Sequence, residues 1–184
     1  MTNFEHSVID IDKHRMARTL EWGNGGRLMG WVLLHPPTTN AVGLTPEDRR
    51  CFVRAQEWGY DGFVQFFLFS LRCSDLRSFR RVADMAEENE DIGYLRLEER
   101  WDVYSDFLPA CEEIVCAWGR DGLRFDSVGN LDLIDLASRD VAPLCLGKYR
   151  GQPHHLLYAG AAAERYPTNP NAALLGSSPW ADVL

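Results

Sequence analysis

Two adjacent histidines, His154 and His155, follow a Gly-x-Pro turn in the stretch GQPHHLLY (151–158), and a third, His35, opens HPPTTN (35–40). Imidazole donates a hydrogen bond to a developing anion or shuttles a proton near neutral pH, so these loops are where acid–base chemistry is expected. The pair is a poor metal site: adjacent side chains on an extended segment point to opposite sides, and no H-E-x-x-H or C-x-x-C spacing accompanies them. His155 is therefore the expected site residue and His154 is expected to point away. The chain has no G-x-S-x-G elbow, no G-x-x-x-x-G-K-S/T phosphate loop and no G-x-G-x-x-G after a strand. No metal or other cofactor is expected.

These side chains need elements to hold them. HRMARTLEW (14–22), GNGG (23–26) and RLMGWVLL (27–34) read as two strands joined by a glycine turn, a hairpin whose second strand is apolar on both faces and so central. PEDRRCFVRAQEW (46–58) is a helix, with Thr45 as N-cap, Pro46 in the first helical position, and Cys51, Phe52, Ala55 and Trp58 on one face. FVQFFLFSL (63–71) is an apolar strand, and the stretch from Cys73 to Cys111 is largely helical, in two pieces. EEIVCAWG (112–119) is a third apolar strand, 122–138 a helix with Leu131, Ile134 and Leu136 facing inward, and VAPLCLG (141–147) a fourth strand.

Strands alternating with helices predict a three-layer α/β/α domain with a mostly parallel central sheet and an antiparallel edge hairpin. Residues 1–184 form one domain, with 1–12 and 165–184 read as irregular tails. In such sheets ligands sit at the carboxyl ends of the strands, which points to the loops His35–Thr45, Ser70–Asp75, Gly119–Gly122 and Gly147–His155.

The composition, 46% hydrophobic and 25% charged over 184 residues, excludes a disordered or fibrous chain. A net charge of −8 repels phosphate backbones and anionic membranes, so nucleic-acid binding requires a local basic strip. The five cysteines are odd in number and unpaired in sequence; reading them as reduced core thiols predicts a cytoplasmic protein. The N-terminus lacks an apolar signal region and no run of 18 apolar residues occurs, so no membrane association is expected.

From about His14 to Tyr158 the chain resembles the bacterial and phage family called domain of unknown function 1643. The matching stretches are HPPTTN (35–40), TPEDRRC (45–51), WGY (58–60), FLF (67–69), RCSD (72–75), EEN ending at Asn89, AWG (117–119) and LGKYRGQPHHLLY (146–158). The departures fall on polar positions. The family's Asn, Ser and Asp-Pro-Thr are His35, Pro37 and Thr45-Pro46-Glu47 here, and the Asn of its Asn-Leu-Phe is Phe67. Leu156 stands where the family has proline, and the preceding loop is one residue short.

More distantly, the motif order is similar to that of the uracil-DNA glycosylase superfamily. The likeness implies that fold and places His35 at the water-positioning carboxylate or amide, Phe67 at the base-reading Asn and His155 at the leaving-group histidine. It implies a glycosylase-like enzyme acting on a nucleobase, nucleoside, or modified nucleotide or DNA base, with His155 and His35 catalytic. Asn40, Thr45, Gln65, Phe67, Arg72, Asn89, Trp118 and Gly119 would then bind substrate. The replaced polar positions sustain the alternative of a catalytically altered module of the same fold that binds a nucleotide or a protein. The expected partner is a nucleobase-containing small molecule or a modified nucleic acid; the oligomeric state stays open.

Overall fold

The computed structural model describes residues 5–11, 13–22, 26–40, 45–85, 97–123, 141, 143–149, 152–160 and 164–167. Nine strands are present among them: β1 (Glu5–Ile11), β2 (His14–Glu21), β3 (Leu28–Leu33), β4 (Gly62–Phe67), β5 (Cys111–Cys116), β6 (Pro143–Cys145), β7 (Lys148–Tyr149), β8 (Gln152–Pro153) and β9 (Tyr166–Pro167). Three helices accompany them: α1 (Pro46–Glu57), α2 (Leu76–Met85) and α3 (Leu97–Phe107). Seven strands form one mixed sheet in the order β1-β2-β4-β3-β5-β6-β9, and β7 pairs with β8 separately.

The four central strands β4, β3, β5 and β6 run parallel, so their carboxyl ends lie along one edge. Antiparallel strands close both sides: β2 on β4 with β1 outside it, and β9 on β6. The structure is mixed α/β, as the alternation of elements predicts.

Two pairings correct the sequence reading. β2 and β3 do not form a hairpin across GNGG, because β4 lies between them. Sequence-adjacent strands pair more often than not, but all six residues of β4, GFVQFF, are buried, and such a strand needs a neighbour on each edge. The β3–α1–β4 crossover supplies one parallel neighbour, and β2 takes the other side. The hairpin is formed instead by β1 and β2, from within the segment read as an irregular tail. β1 lacks an apolar stripe: Ser7 is exposed, while Val8 and Ile9 are half-buried. It is held by the ladder, by the Ser7–Thr19 hydroxyl contact at 2.8 Å and by Asp10 on Arg15, none of which periodicity detects. At the other end, Tyr166–Pro167 is a strand rather than tail. The expected helix over 122–138 lies outside the described residues beyond Leu123, where a 3₁₀ turn, Arg120–Leu123, ends the described part.

The side-chain alternation of the sheet divides the core. Met29, Trp31, Leu33, Phe63, Phe67 and Val115 pack with Cys51 and Ala55 of α1. Val32, Val64, Phe66, Ile114 and Cys116 pack with Phe79 of α2 and Tyr104 of α3. All five cysteines are buried and free, serving as small apolar groups. Among the described residues no helix is long and apolar enough to cross a membrane.

Candidate functional site

α1 sets one wall of the site. Thr45 is its N-cap, with the hydroxyl accepting from the Asp48 amide at 3.0 Å while the Asp48 carboxylate reaches back toward the Thr45 N–H, a reciprocal capping box. That geometry turns Asp48 inward, where it is 1% exposed and accepts from the Arg18 guanidinium of β2 at 2.9 Å and from the Gln65 amide of β4 at 3.0 Å. Glu47, the next residue back, faces a cavity instead, and burial raises its carboxyl above the ordinary range.

This cavity, of about 310 Å³, lies at the carboxyl end of the parallel strands. His35 and Pro37 reach it from the loop after β3, Cys73, Ser74 and Asp75 from the loop after β4, and His155, Leu157 and Tyr158 from the segment after β8. Gln65 and Phe67 form part of its lining from the sheet itself. A second cavity of about 450 Å³ shares Leu76, His155 and Tyr158 with the first and adds Trp118, Gly119, Arg80, Arg120 and Asp121. The two form one cleft with His155 common to both, and Tyr158, 75% exposed, stands at their shared rim.

The two histidines are brought into the same cavity from 120 residues apart, and their hydrogen bonds fix opposite tautomers. The Nδ1 of His155 faces the Leu157 amide at 3.3 Å and must accept, leaving Nε2–H as a donor. The Nδ1 of His35 faces the Pro36 carbonyl at 3.2 Å and must donate, leaving Nε2 as an acceptor. Burial, together with His35 nearby and against the opposing pull of Asp121, pushes His155 down to about 4; burial likewise lowers His35. Both rings are therefore neutral at pH 7. His35 is held by stacking on Phe79, with ring centroids 4.9 Å apart and planes 16° from parallel.

His155 is seated by its neighbours. Leu156 donates its amide to the Ala117 carbonyl at the end of β5, and the amides of Tyr158 and Ala159 donate to the His155 carbonyl, turning the chain. Gly119 sits beneath it at φ +78°, and a Cβ there would lie 2.8 Å from the His155 Cβ, closer than carbon atoms approach. Trp118 is fully buried and donates from Nε1 to Gln152 at 3.1 Å, tying the end of β5 to β8. His154 directs its Nε2 to the Lys148 carbonyl at 3.0 Å, within the β7–β8 turn, and borders only the second cavity.

Of the remaining sequence candidates, Thr45, Gln65 and Phe67 line the cavity with His35 and His155, whereas Trp118 and Gly119 line its extension. Asn40 and Arg72 lie apart from it. They belong to a polar knot in which Arg15, fully buried, grips both Asp10 oxygens at 2.7 and 2.9 Å, the Thr39 carbonyl at 2.7 Å and the Asn40 side chain at 2.8 Å. Arg72 adds bonds to Asp10 at 3.2 Å, to Asn40 at 2.7 Å and to the Thr38 carbonyl. The knot fastens the loop that carries His35 to the outer strands, a positioning task. Asn89 lies outside the described residues.

Sequence reasoning passed over Glu47 and the Arg80–Asp121 pair, bidentate at 3.0 and 2.6 Å. Glu47 had a signal, since it falls in a stretch that departs from the family pattern the sequence resembles; Arg80 and Asp121, 41 residues apart, had none.

A family model described as protein of unknown function (DUF1643) matches residues 14–157. No curated protein and no solved structure matches the chain.

Proposed function

We propose, from the premise that this chain belongs to the DUF1643 family of proteins of unknown function, that the cleft is a glycosylase-like active site that hydrolyses an N-glycosidic bond of a nucleoside or nucleotide. The observation carrying this reading is the pair of neutral histidines with opposite tautomers in one cavity. In the proposed step a water oxygen bonds to the anomeric carbon, the carbon–nitrogen bond breaks, and its electron pair leaves with the base. The Nε2–H of His155 stabilises that anion by donating a hydrogen bond, while the Nε2 of His35 accepts the proton of the water. A neutral donor suits the leaving base, because it need not be charged in a buried pocket before the reaction. Phe67 and Tyr158 offer ring surfaces for the base, and Glu47 a hydrogen bond to a sugar hydroxyl or the water. The cavity of about 310 Å³ falls in the range of small-molecule sites. A three-layer α/β/α arrangement like that of the uracil-DNA glycosylases belongs to the same proposal.

The test is incubation with nucleosides, nucleotides and uracil- or modified-base oligonucleotides, with released base measured by chromatography. Release is expected from at least one substrate, and His155→Ala should slow it by about 10²–10⁴-fold, the usual worth of a positioned acid or base. One observation favours a second reading as a binding module: the ring of Phe67, 1% exposed, lines the cavity at the position where the likeness to the uracil-DNA glycosylases implies a base-reading amide. Thermal stabilisation by a nucleoside with no release from any substrate would establish that reading instead.

A further inference from the structure

We infer that Gln65 reads the bound heterocycle by accepting a hydrogen bond from an N–H donor on its edge, so that the site selects rings that carry such a donor. The inference rests on the proposal above that the cavity takes a nucleobase. Gln65 is the one polar side chain of β4, a strand otherwise built of GFV and FF, and it is 1% exposed on the face that packs against α1. Its amide has no rotational choice. The Asp48 carboxylate, engaged by the Arg18 guanidinium at 2.9 Å, only accepts, so the Gln65 group facing it at 3.0 Å must be the NH₂. The same nitrogen lies 3.4 Å from the Cys51 sulfur. Flipping the amide would set oxygen against oxygen.

The Oε1 atom is thereby committed to the opposite direction; it is buried and has no hydrogen-bond partner among the described residues. A buried amide oxygen without a donor is disfavoured. A side chain serving only as a strut for Asp48 would leave that penalty standing; a ligand N–H relieves it. Gln65 lines the same cavity as His35, Phe67 and His155. Phe67 presents a π-surface two residues along the same strand face and makes no sequence-specific contact, so the discrimination falls to Gln65.

The probes are bases methylated where the sugar attaches, which cannot be hydrolysed: 9-methyladenine against 9-methylpurine, and 1-methyluracil against 1,3-dimethyluracil. Dissociation constants are measured by titration calorimetry. The donor-bearing member of at least one pair should bind about tenfold more tightly or better, and Gln65→Met, which keeps the length of the side chain, should bring that ratio close to one. If Gln65→Met does not fold, the ¹³C shift of the Gln65 side-chain carbonyl in the wild-type protein serves instead, moving with the donor-bearing probe and not with its partner. Bases that bind with a ratio near one, a ratio unchanged by Gln65→Met, or an unmoved carbonyl would overturn the inference and leave the nucleobase site intact. Discrimination without base release from any nucleoside would sustain it while removing the catalytic reading. Failure of every base to bind would remove both.

Discussion

At the scale of single residues, the site depends on two imidazoles kept neutral by burial, and this sets a sign for pH dependence. An unfolded histidine titrates near 6.5, whereas His155 in the folded chain titrates at about 4. Between these values the unfolded chain binds more protons, so stability is fully present above about pH 6.5 and is lost as pH falls through the window. Below about pH 4 both states are protonated and His155 contributes no further change. Urea unfolding at half-unit intervals from pH 7 to 4 should show His155→Gln with a shallower loss than wild type, by at most about 1.4 kcal/mol per pH unit. Equal slopes would mean that His155 titrates normally. The seat of this histidine is as specific as its charge. Gly119→Ala puts a methyl into a positive-φ position and into the His155 Cβ, and should cost about 1–3 kcal/mol. Base release should fall at least as far as in His155→Ala, since the ring is displaced. The placement of His155 at the carboxyl edge of the sheet was legible in the sequence because its loop carries a motif. Its tautomer was not, because that is decided by an amide two residues on, through a turn that residue types do not specify.

At the scale of elements, α1 illustrates what local sequence determines. Thr45 and Pro46 write the helix start into consecutive positions, and the observed start and N-cap agree with that reading, while Trp58, read as the last helical residue, is the C-cap after Glu57. Thr45→Ala should lower stability by about 1 kcal/mol, seen as a lower thermal midpoint. What the sequence left unread was partnership. The parallel strand segments β3 to β6 were evident from their apolar runs, yet the pairing of β2 with β4 rather than β3 is decided by a crossover that competes with sequence adjacency. The same pairing places Arg18 opposite Gln65 in register and within reach of Asp48. Arg18 and Asp48, both fully or almost fully buried, therefore join β2, β4 and α1 through one ion pair. Breaking it by Arg18→Met or by Asp48→Leu should cost about 3–5 kcal/mol, because a buried charge loses its counter-charge. The double variant should recover most of that loss in a denaturant titration. Costs that simply add would show that the two side chains act separately.

At the scale of the whole molecule, electrostatics limits the size of ligand that the cleft can serve. The chain carries 27 acidic and 19 basic side chains, a net charge of −8, and this field acts on every phosphate of a long polyanion. The cleft nonetheless has a basic side. Arg80 and Arg120 border it, and Arg77 lies three positions before Arg80 along α2, so it shares its helical neighbourhood. Arg80 is already committed to Asp121, which cancels much of its charge locally. A local cluster of that size suits one phosphate at short range, while a duplex extending beyond it meets the acidic remainder. Anisotropy of a labelled oligonucleotide should therefore show weak binding that stays level or strengthens between 50 and 200 mM salt, as screening weakens the repulsion. A nucleoside monophosphate should compete more effectively than the oligonucleotide at equal phosphate concentration. A protein built around six to ten phosphate contacts loses about 10³–10⁵ in affinity over the same salt range. A loss of even tenfold here would mean that the basic side of the cleft, rather than the net charge, governs the encounter, and that a polymer is the ligand.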